Sequence, residues 1–133
     1  DDGDDDGDDG GVAATDLAAA IDHASDAGGE LVVAGYSYGA IAALRSDDRR
    51  IGRIAAIAPP LAVTPVDRPP VAPTLLITAQ HDQFTPTELA SDLTATWPAV
   101  TRVTIPSADH FLHGQIESVV HLIADWLADP VAR

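Results

Sequence analysis

The segment GYSYG at residues 35–39 places a serine between two glycines in the pattern G-x-S-x-G. It directly follows an apolar run (LVVA) and opens a stretch of helical composition (AIAALR). A sharp strand-to-helix turn would hold Ser37 at a strained backbone angle, with its hydroxyl at the carboxyl end of a sheet. We expect side chains at Gly35 and Gly39 to clash in such a turn. The pattern predicts a nucleophile at a helix N-terminus, with an ordinary glycine-bounded turn as the alternative.

A serine hydroxyl needs a neighbouring base to become a good nucleophile. Of the five histidines, His110 and His113 follow the fourth predicted strand and precede the last predicted helix, where an imidazole can reach the serine. His81 ends the third predicted strand, whereas His23 and His121 lie inside predicted helices as surface or packing residues. We therefore predict His110 as the base, with His113 as the alternative.

A third group must orient the imidazole and stabilise its charged form. Asp82 stands immediately after the third predicted strand. Asp109 is the competitor, but the carboxylate of an immediate sequence neighbour seldom reaches the ring of His110. Nucleophile, acid and base then follow one another along the chain, each at the carboxyl end of a predicted strand. The sequence thus predicts a catalytic triad of Ser37, Asp82 and His110.

A metal site is the alternative chemistry, built from Asp82, Asp109, His110 and His113. The two histidines are three residues apart in a loop, not on a helix, and a zinc site would leave the GYSYG pattern unexplained. The acidic start of the chain could bind calcium, but it lacks the glutamate and flanking helices of an EF-hand. We expect no metal and no cofactor.

Apolar strand-like segments alternate with helical ones, which predicts an α/β fold with a parallel sheet of about four strands and helices on both faces. The predicted strands are 30–34, 53–58, Thr74–Ala79 and Val100–Ile105. The predicted helices are 16–27 with Thr15 as its cap, Tyr38–Arg45, 87–96 with Thr85 or Thr87 as its cap, and 115–127. The last helix is expected to bury Ile116, Val119, Val120, Ile123, Trp126 and Leu127. The proline-rich segment 58–73 is expected to be a stiff surface connection.

The 133 residues suffice for one domain with a core, and the net charge is −14. Seven aspartates among the first ten residues make 1–11 a low-complexity segment without intrinsic structure, ahead of a domain at 12–133. All basic residues are Arg and Asp far outnumbers Glu, as in proteins of salt-loving organisms; a GC-rich genome is the alternative. An acidic chain repels nucleic acid. Without a membrane-length apolar run or a signal pattern, we expect a cytoplasmic protein with no membrane partner.

The motifs GYSYGA, HDQFTP and ADHFLHG together resemble a small bacterial and archaeal group of α/β-hydrolases that are similar to dienelactone hydrolases. The resemblance covers about residues 12–127. It implies Ser37 as nucleophile, Asp82 as acid, His110 as base and the backbone N–H of Tyr38 as one oxyanion donor.

The resemblance also implies that further strands precede the strand before Ser37, along with a loop that supplies a second oxyanion donor. The chain contains no Met and begins with Asp. We therefore expect an N-terminally truncated hydrolase domain, in which the strand before Ser37 forms an exposed apolar edge.

The predicted function of the full-length protein is hydrolysis of an ester, thioester or lactone bond in a small molecule, through an acyl-enzyme and without a cofactor. The sequence leaves the activity of this chain alone undecided. A non-catalytic binding protein of the same fold and an acyltransferase with the same triad are the alternatives. Residues that could border the substrate pocket are Tyr36, Tyr38, Pro60, Leu61, Gln83, Phe84 and Phe111.

Overall fold

The computed structural model describes residue 17 and residues 28–129, which form a four-stranded parallel sheet with flanking helices. In chain order the elements are β1 (Leu31–Tyr36), α1 (Tyr38–Arg45), β2 (Ile51–Ile57), β3 (Thr74–Ala79), α2 (Thr87–Leu93), β4 (Val100–Ile105) and α3 (Ile116–Ala128). The strand order is β1-β2-β3-β4 and every pairing is parallel, so all carboxyl ends meet at one edge. The predicted fold class is confirmed. The acidic segment 1–11 and the predicted helix 16–27 with its Thr15 cap lie outside the described residues, apart from Leu17.

Successive side chains of the central strands point to opposite faces of the sheet, and each face carries its own apolar cluster. On one face, Ile54 and Leu76 pack with residues of α1 and α2. On the other, Leu75 and Ile77 pack with residues of α3. Both faces are therefore buried, which explains why β3 reads as a continuous apolar run and not as an alternating one.

The bounds of α1, β3 and β4 are those that the sequence predicts, whereas two strands and two helices differ, α3 by one residue at each end. β1 continues to Tyr36 and β2 begins at Ile51, because parallel pairing with the neighbouring strand extends that far. α2 ends at Leu93, and the hydroxyl of Thr94 donates to the carbonyl of Ala90, 2.8 Å away. Strand pairing and helix capping thus move these three ends by two or three residues from their predicted positions.

The prediction that Thr85 or Thr87 caps α2 is wrong. The N-cap is Pro86, and no side chain caps the helix. Both threonine hydroxyls are engaged elsewhere: that of Thr85 accepts the N–H of Ala62 at 3.1 Å, and that of Thr87 lies 2.9 Å from the hydroxyl of Thr78. These partners are distant in sequence, so a local pattern does not reveal them.

The last helix buries a narrower face than its sequence predicts. Val119 and Trp126 are buried, and Ile123 and Leu127 are half-buried. Ile116 and Val120 are 66% and 56% exposed. Val120 lies about 100° around the helix axis from Val119, and Ile116 is the first residue of the helix. Among the described helices, none combines the length and apolarity that crossing a membrane requires.

The proline-rich connection between β2 and β3 is only partly a surface segment. Ala58, Pro59 and Pro60 are buried, and Leu61 joins the apolar cluster that contains α1. The middle of the segment is mostly exposed, as predicted. The first part of the connection therefore belongs to the core.

Arg53 carries a buried cation that ties the sheet to the C-terminal end of α3. Its Nε donates to Glu30 at 3.0 Å, and its Nη1 donates to the carbonyl of Leu127 at 2.9 Å. The guanidinium also lies 5.5 Å from the centre of the Trp126 ring. A cation at a helix C-terminus complements the helix dipole, so this group holds α3 against the sheet.

Candidate active site

Ser37 stands alone between β1 and α1, at the carboxyl edge of the sheet. Its backbone has φ 57° and ψ −120°, a left-handed conformation that a non-glycine residue adopts only under strain. Its N–H continues the sheet by donating to the Ile57 carbonyl at 2.9 Å, and its own carbonyl accepts the N–H groups of Ala40 and Ile41. Strand and helix thus both fix the backbone of the turn that carries the Ser37 side chain.

The two glycines of the GYSYG segment differ in whether the structure leaves room for a side chain. A Cβ on Gly35 would lie 2.4 Å from the carbonyl oxygen of Gly39, so that position admits no side chain. Apart from its two chain neighbours and the backbone of its own helix, a Cβ on Gly39 would meet no atom of the described residues within 4 Å. The predicted clash is therefore present at Gly35 and absent at Gly39.

The structure brings together the three residues that the sequence predicts as a triad. The Oγ of Ser37 lies 3.0 Å from Nε2 of His110, and Nδ1 of His110 lies 2.8 Å from Oδ2 of Asp82. His110 is 5% exposed and Asp82 is 2% exposed. Because a carboxylate only accepts, the ring proton sits on Nδ1 and leaves Nε2 to accept the serine hydroxyl proton.

The carboxylate of Asp82 is held from both sides. Its Oδ1 accepts the backbone N–H groups of Phe84 at 2.7 Å and Thr85 at 3.1 Å, which leaves Oδ2 for the imidazole. Asp109, the competing carboxylate, instead accepts the N–H of Phe111 at 3.0 Å. The structure thus pairs the ring of His110 with Asp82 and not with its sequence neighbour.

Among residues 28–129, the other three histidines take no part in this hydrogen-bond chain. The side chains of His81, His113 and His121 are exposed, and the ring centre of His113 lies 6.0 Å from that of Phe111. His23 lies outside the described residues. Within residues 28–129, no three His, Asp or Glu side chains lie together as metal ligands would.

Aromatic rings surround His110. The ring centres of Phe84, Phe111 and Tyr36 lie 4.6, 5.3 and 5.6 Å from the imidazole. Together with Tyr38 they are all the phenylalanines and tyrosines of the chain, and each is 41–54% exposed.

Of the other predicted pocket residues, Gln83 is exposed, but Pro60 and Leu61 are buried in the β2–β3 connection. The place of these three residues at a pocket stays a prediction.

The backbone N–H of Tyr38 points from the N-terminus of α1. As the first residue of the helix, Tyr38 has no acceptor for this N–H within the helix. The partial positive charge of the helix end lies at the same place. An N–H in this position, next to the serine, can donate to an oxygen that gains negative charge.

Two hydrogen bonds of the site have no signal in the sequence. The hydroxyl of Tyr36 donates to the backbone carbonyl of His110 at 2.8 Å, and the side chain of Gln80 accepts the N–H of Ser107 at 2.8 Å. Sequence reasoning placed Tyr36 only at the pocket. Both bonds join segments that are far apart along the chain, so only the fold reveals them.

Solved structures with a similar backbone arrangement include α/β serine hydrolases and esterases. An α/β serine hydrolase homologue from Coxiella burnetii has a TM-score of 0.73 and 24% identity, over 84% of this chain and 57% of its own. A lid-less α/β serine hydrolase from Xanthomonas campestris has 0.69 and 26%, over 87% and 57%. Est1E from Butyrivibrio proteoclasticus, with ferulic acid bound, has 0.76 and 15%, over 90% and 68%. This chain has the α/β-hydrolase fold.

The sequence motifs indicated a relationship to the α/β-hydrolase superfamily, and the fold confirms it. No protein-family model matches the sequence, and no curated protein matches it significantly. The chain spans 57% of the length of both serine hydrolases described above. The similarity therefore establishes the architecture, and the chemistry rests on the geometry of this site.

Proposed function

We propose that the protein is a serine hydrolase that cleaves an ester-type bond, in a carboxylic ester, thioester or lactone, through an acyl-enzyme. The observation that carries the proposal is the continuous hydrogen-bond chain from Ser37 through His110 to Asp82. A hydroxyl, an imidazole and a buried carboxylate in this order are the parts that nucleophilic acyl transfer requires.

In the acylation half, the Oγ of Ser37 attacks the carbonyl carbon of the substrate, and its proton passes to Nε2 of His110. Asp82 stabilises the resulting imidazolium through Nδ1–H. The carbonyl oxygen takes up the negative charge and accepts the N–H of Tyr38. When the carbon–oxygen or carbon–sulfur bond to the leaving group breaks, His110 returns the proton to that group, and the acyl group remains on Ser37.

In the deacylation half, a water molecule replaces the leaving group. His110 removes a proton from the water as it attacks the acyl carbon, and the oxyanion again accepts from Tyr38. The bond to Ser37 then breaks, and His110 gives the proton back to the serine. The products are a carboxylic acid and the free enzyme, and the reaction consumes no cofactor.

The aromatic rings around His110 indicate what kind of substrate the site binds. Tyr36, Phe84 and Phe111 present half-exposed rings beside the imidazole. Burial of apolar substrate surface against such rings is favourable at about 25 cal/mol per Å². We infer that the acyl or alcohol part next to the scissile bond is apolar, in a small-molecule substrate.

The test is hydrolysis of p-nitrophenyl acetate. The wild-type chain should release nitrophenolate in a burst of about one equivalent, followed by slower turnover, as an acyl-enzyme accumulates and decays. Ser37→Ala should abolish the burst. Ser118→Ala, which changes an exposed serine on α3, should retain it and serves as the matched control.

Equal rates in wild type and Ser37→Ala would contradict the proposal and leave the non-catalytic binding protein as the better account. An acyltransferase would show the same burst, but an added alcohol or amine acceptor would then take most of the acyl group in place of water. Product analysis by mass spectrometry separates these two outcomes.

A further inference from the structure

The loop between β4 and α3, residues 106–115, carries His110 and contains residues with unfavourable backbone conformations. Ser107 and Leu112 have positive φ angles of 61° and 55°, and Gly114 has one of 73°. Non-glycine residues in this region cost free energy and persist only where surrounding contacts impose them. The position of the imidazole therefore depends on contacts from outside the loop.

One side of this loop is fastened to the end of β3. The N–H of His81 donates to the carbonyl of Ala108 at 2.8 Å, and the side chain of Gln80 accepts the N–H of Ser107. These bonds hold the start of the loop beside Asp82. They do not reach the turn that carries the nucleophile.

The other side is fastened by Tyr36, the last residue of β1. Its hydroxyl donates to the carbonyl of His110 at 2.8 Å, and its ring lies 5.6 Å from the imidazole, tilted by 34°. Among residues 28–129, this bond and that of Ser37 are the hydrogen bonds between the β1–α1 turn and His110. One strained turn thus carries both the nucleophile and a clamp on its base.

We propose that Tyr36 is a positioning residue, whose hydroxyl fixes the backbone of His110 and so keeps Nε2 within reach of the Ser37 hydroxyl. The inference rests on the proposed function and adds to it a residue that acts through His110, without touching the reacting atoms. Reaction rates fall steeply when reacting groups are displaced by as little as 1 Å, so a clamp of this kind has kinetic consequences.

The electrostatics of the site keep this clamp in its donating form. Burial, and then the charges of Asp82 and Asp109, raise the pKa of Tyr36 above its ordinary value. The phenol therefore stays protonated over the range in which an ester hydrolase is assayed. A deprotonated oxygen could not donate to a carbonyl.

Tyr36→Phe in the full chain removes the hydroxyl and keeps the ring. We expect kcat for p-nitrophenyl acetate to fall about tenfold, with KM changed by less than about twofold, because binding is kept and the geometry of proton transfer is lost. The matched control is Thr74→Val, at the opposite end of the sheet. It also removes a hydroxyl that donates to a backbone carbonyl, that of Ala72 at 3.0 Å, and should leave kcat unchanged.

A second readout follows the imidazole itself and needs no turnover. In Tyr36→Phe, the Nδ1–H proton of His110 should exchange with water faster than in wild type, as seen by NMR, whereas Thr74→Val should keep the wild-type rate. Unchanged exchange in Tyr36→Phe overturns the inference, as does an unchanged kcat. If wild type forms no acyl-enzyme, the proposed function fails, and the exchange measurement still decides whether Tyr36 positions the ring.

Discussion

At the residue scale, the two oxygens of Asp82 have different partners. Oδ1 is occupied by the N–H groups of Phe84 and Thr85, and Oδ2 faces His110. The loop after β3 thereby aims the carboxylate before any substrate binds. Such preorganisation lets the carboxylate stabilise the imidazolium without rearrangement in the transition state.

Replacing Asp82 with asparagine tests this reading. The amide keeps the size of the side chain, but its NH₂ group faces Nδ1 and favours the wrong imidazole tautomer. We expect kcat for p-nitrophenyl acetate to fall roughly 10⁴-fold, the loss typical of this change in a triad.

Asp109→Asn is the matched control, because an amide oxygen can still accept the N–H of Phe111. Its kcat should stay within a factor of about three of wild type. Similar losses in the two variants would argue that Asp82 has no special relation to the imidazole.

At the element scale, the strained β1–α1 turn depends on a close approach of two backbones. Gly35, on the last part of β1, lies against the carbonyl of Gly39, on the first turn of α1.

The sequence predicted α1, β3 and β4 with their observed bounds, because apolar runs and the GYSYG pattern mark them clearly. It also identified Ser37, Asp82 and His110 as residues that would converge.

What the sequence could not predict depends on partners that are distant along the chain. The threonines near α2 form hydrogen bonds outside the helix, Leu61 enters the core, and Tyr36 bonds to a carbonyl 74 residues away. The same holds for Gly39, whose surroundings are open in the structure. Local sequence patterns predict whether an element is a helix or a strand. Packing decides which of its side chains form hydrogen bonds or core contacts.

The asymmetry between the two glycines gives a prediction about stability. Gly35→Ala should lower the free energy of unfolding by at least about 2 kcal/mol, because its Cβ overlaps the Gly39 carbonyl. Gly39→Ala should leave stability unchanged or raise it by up to about 1 kcal/mol, since alanine favours the helix. Urea denaturation of both variants checks this, and equal destabilisation would contradict the described turn.

At the scale of the whole molecule, the parallel sheet explains how residues 37, 82 and 110 meet. Every strand ends at the same edge, so the turns after β1, β3 and β4 lie along that one edge, with only β2 between β1 and β3. Among the described residues β1 pairs only with β2, and its other side is an edge of the sheet next to Ser37.

The central claim is that Ser37 is a nucleophile activated by His110 and Asp82. The most direct measurement is treatment of the chain with a fluorophosphonate, followed by mass spectrometry of its peptides. We predict a single covalent adduct on Ser37, formed much more slowly in His110→Ala. No adduct on Ser37, or equal labelling of this serine and the exposed Ser118, would contradict the account.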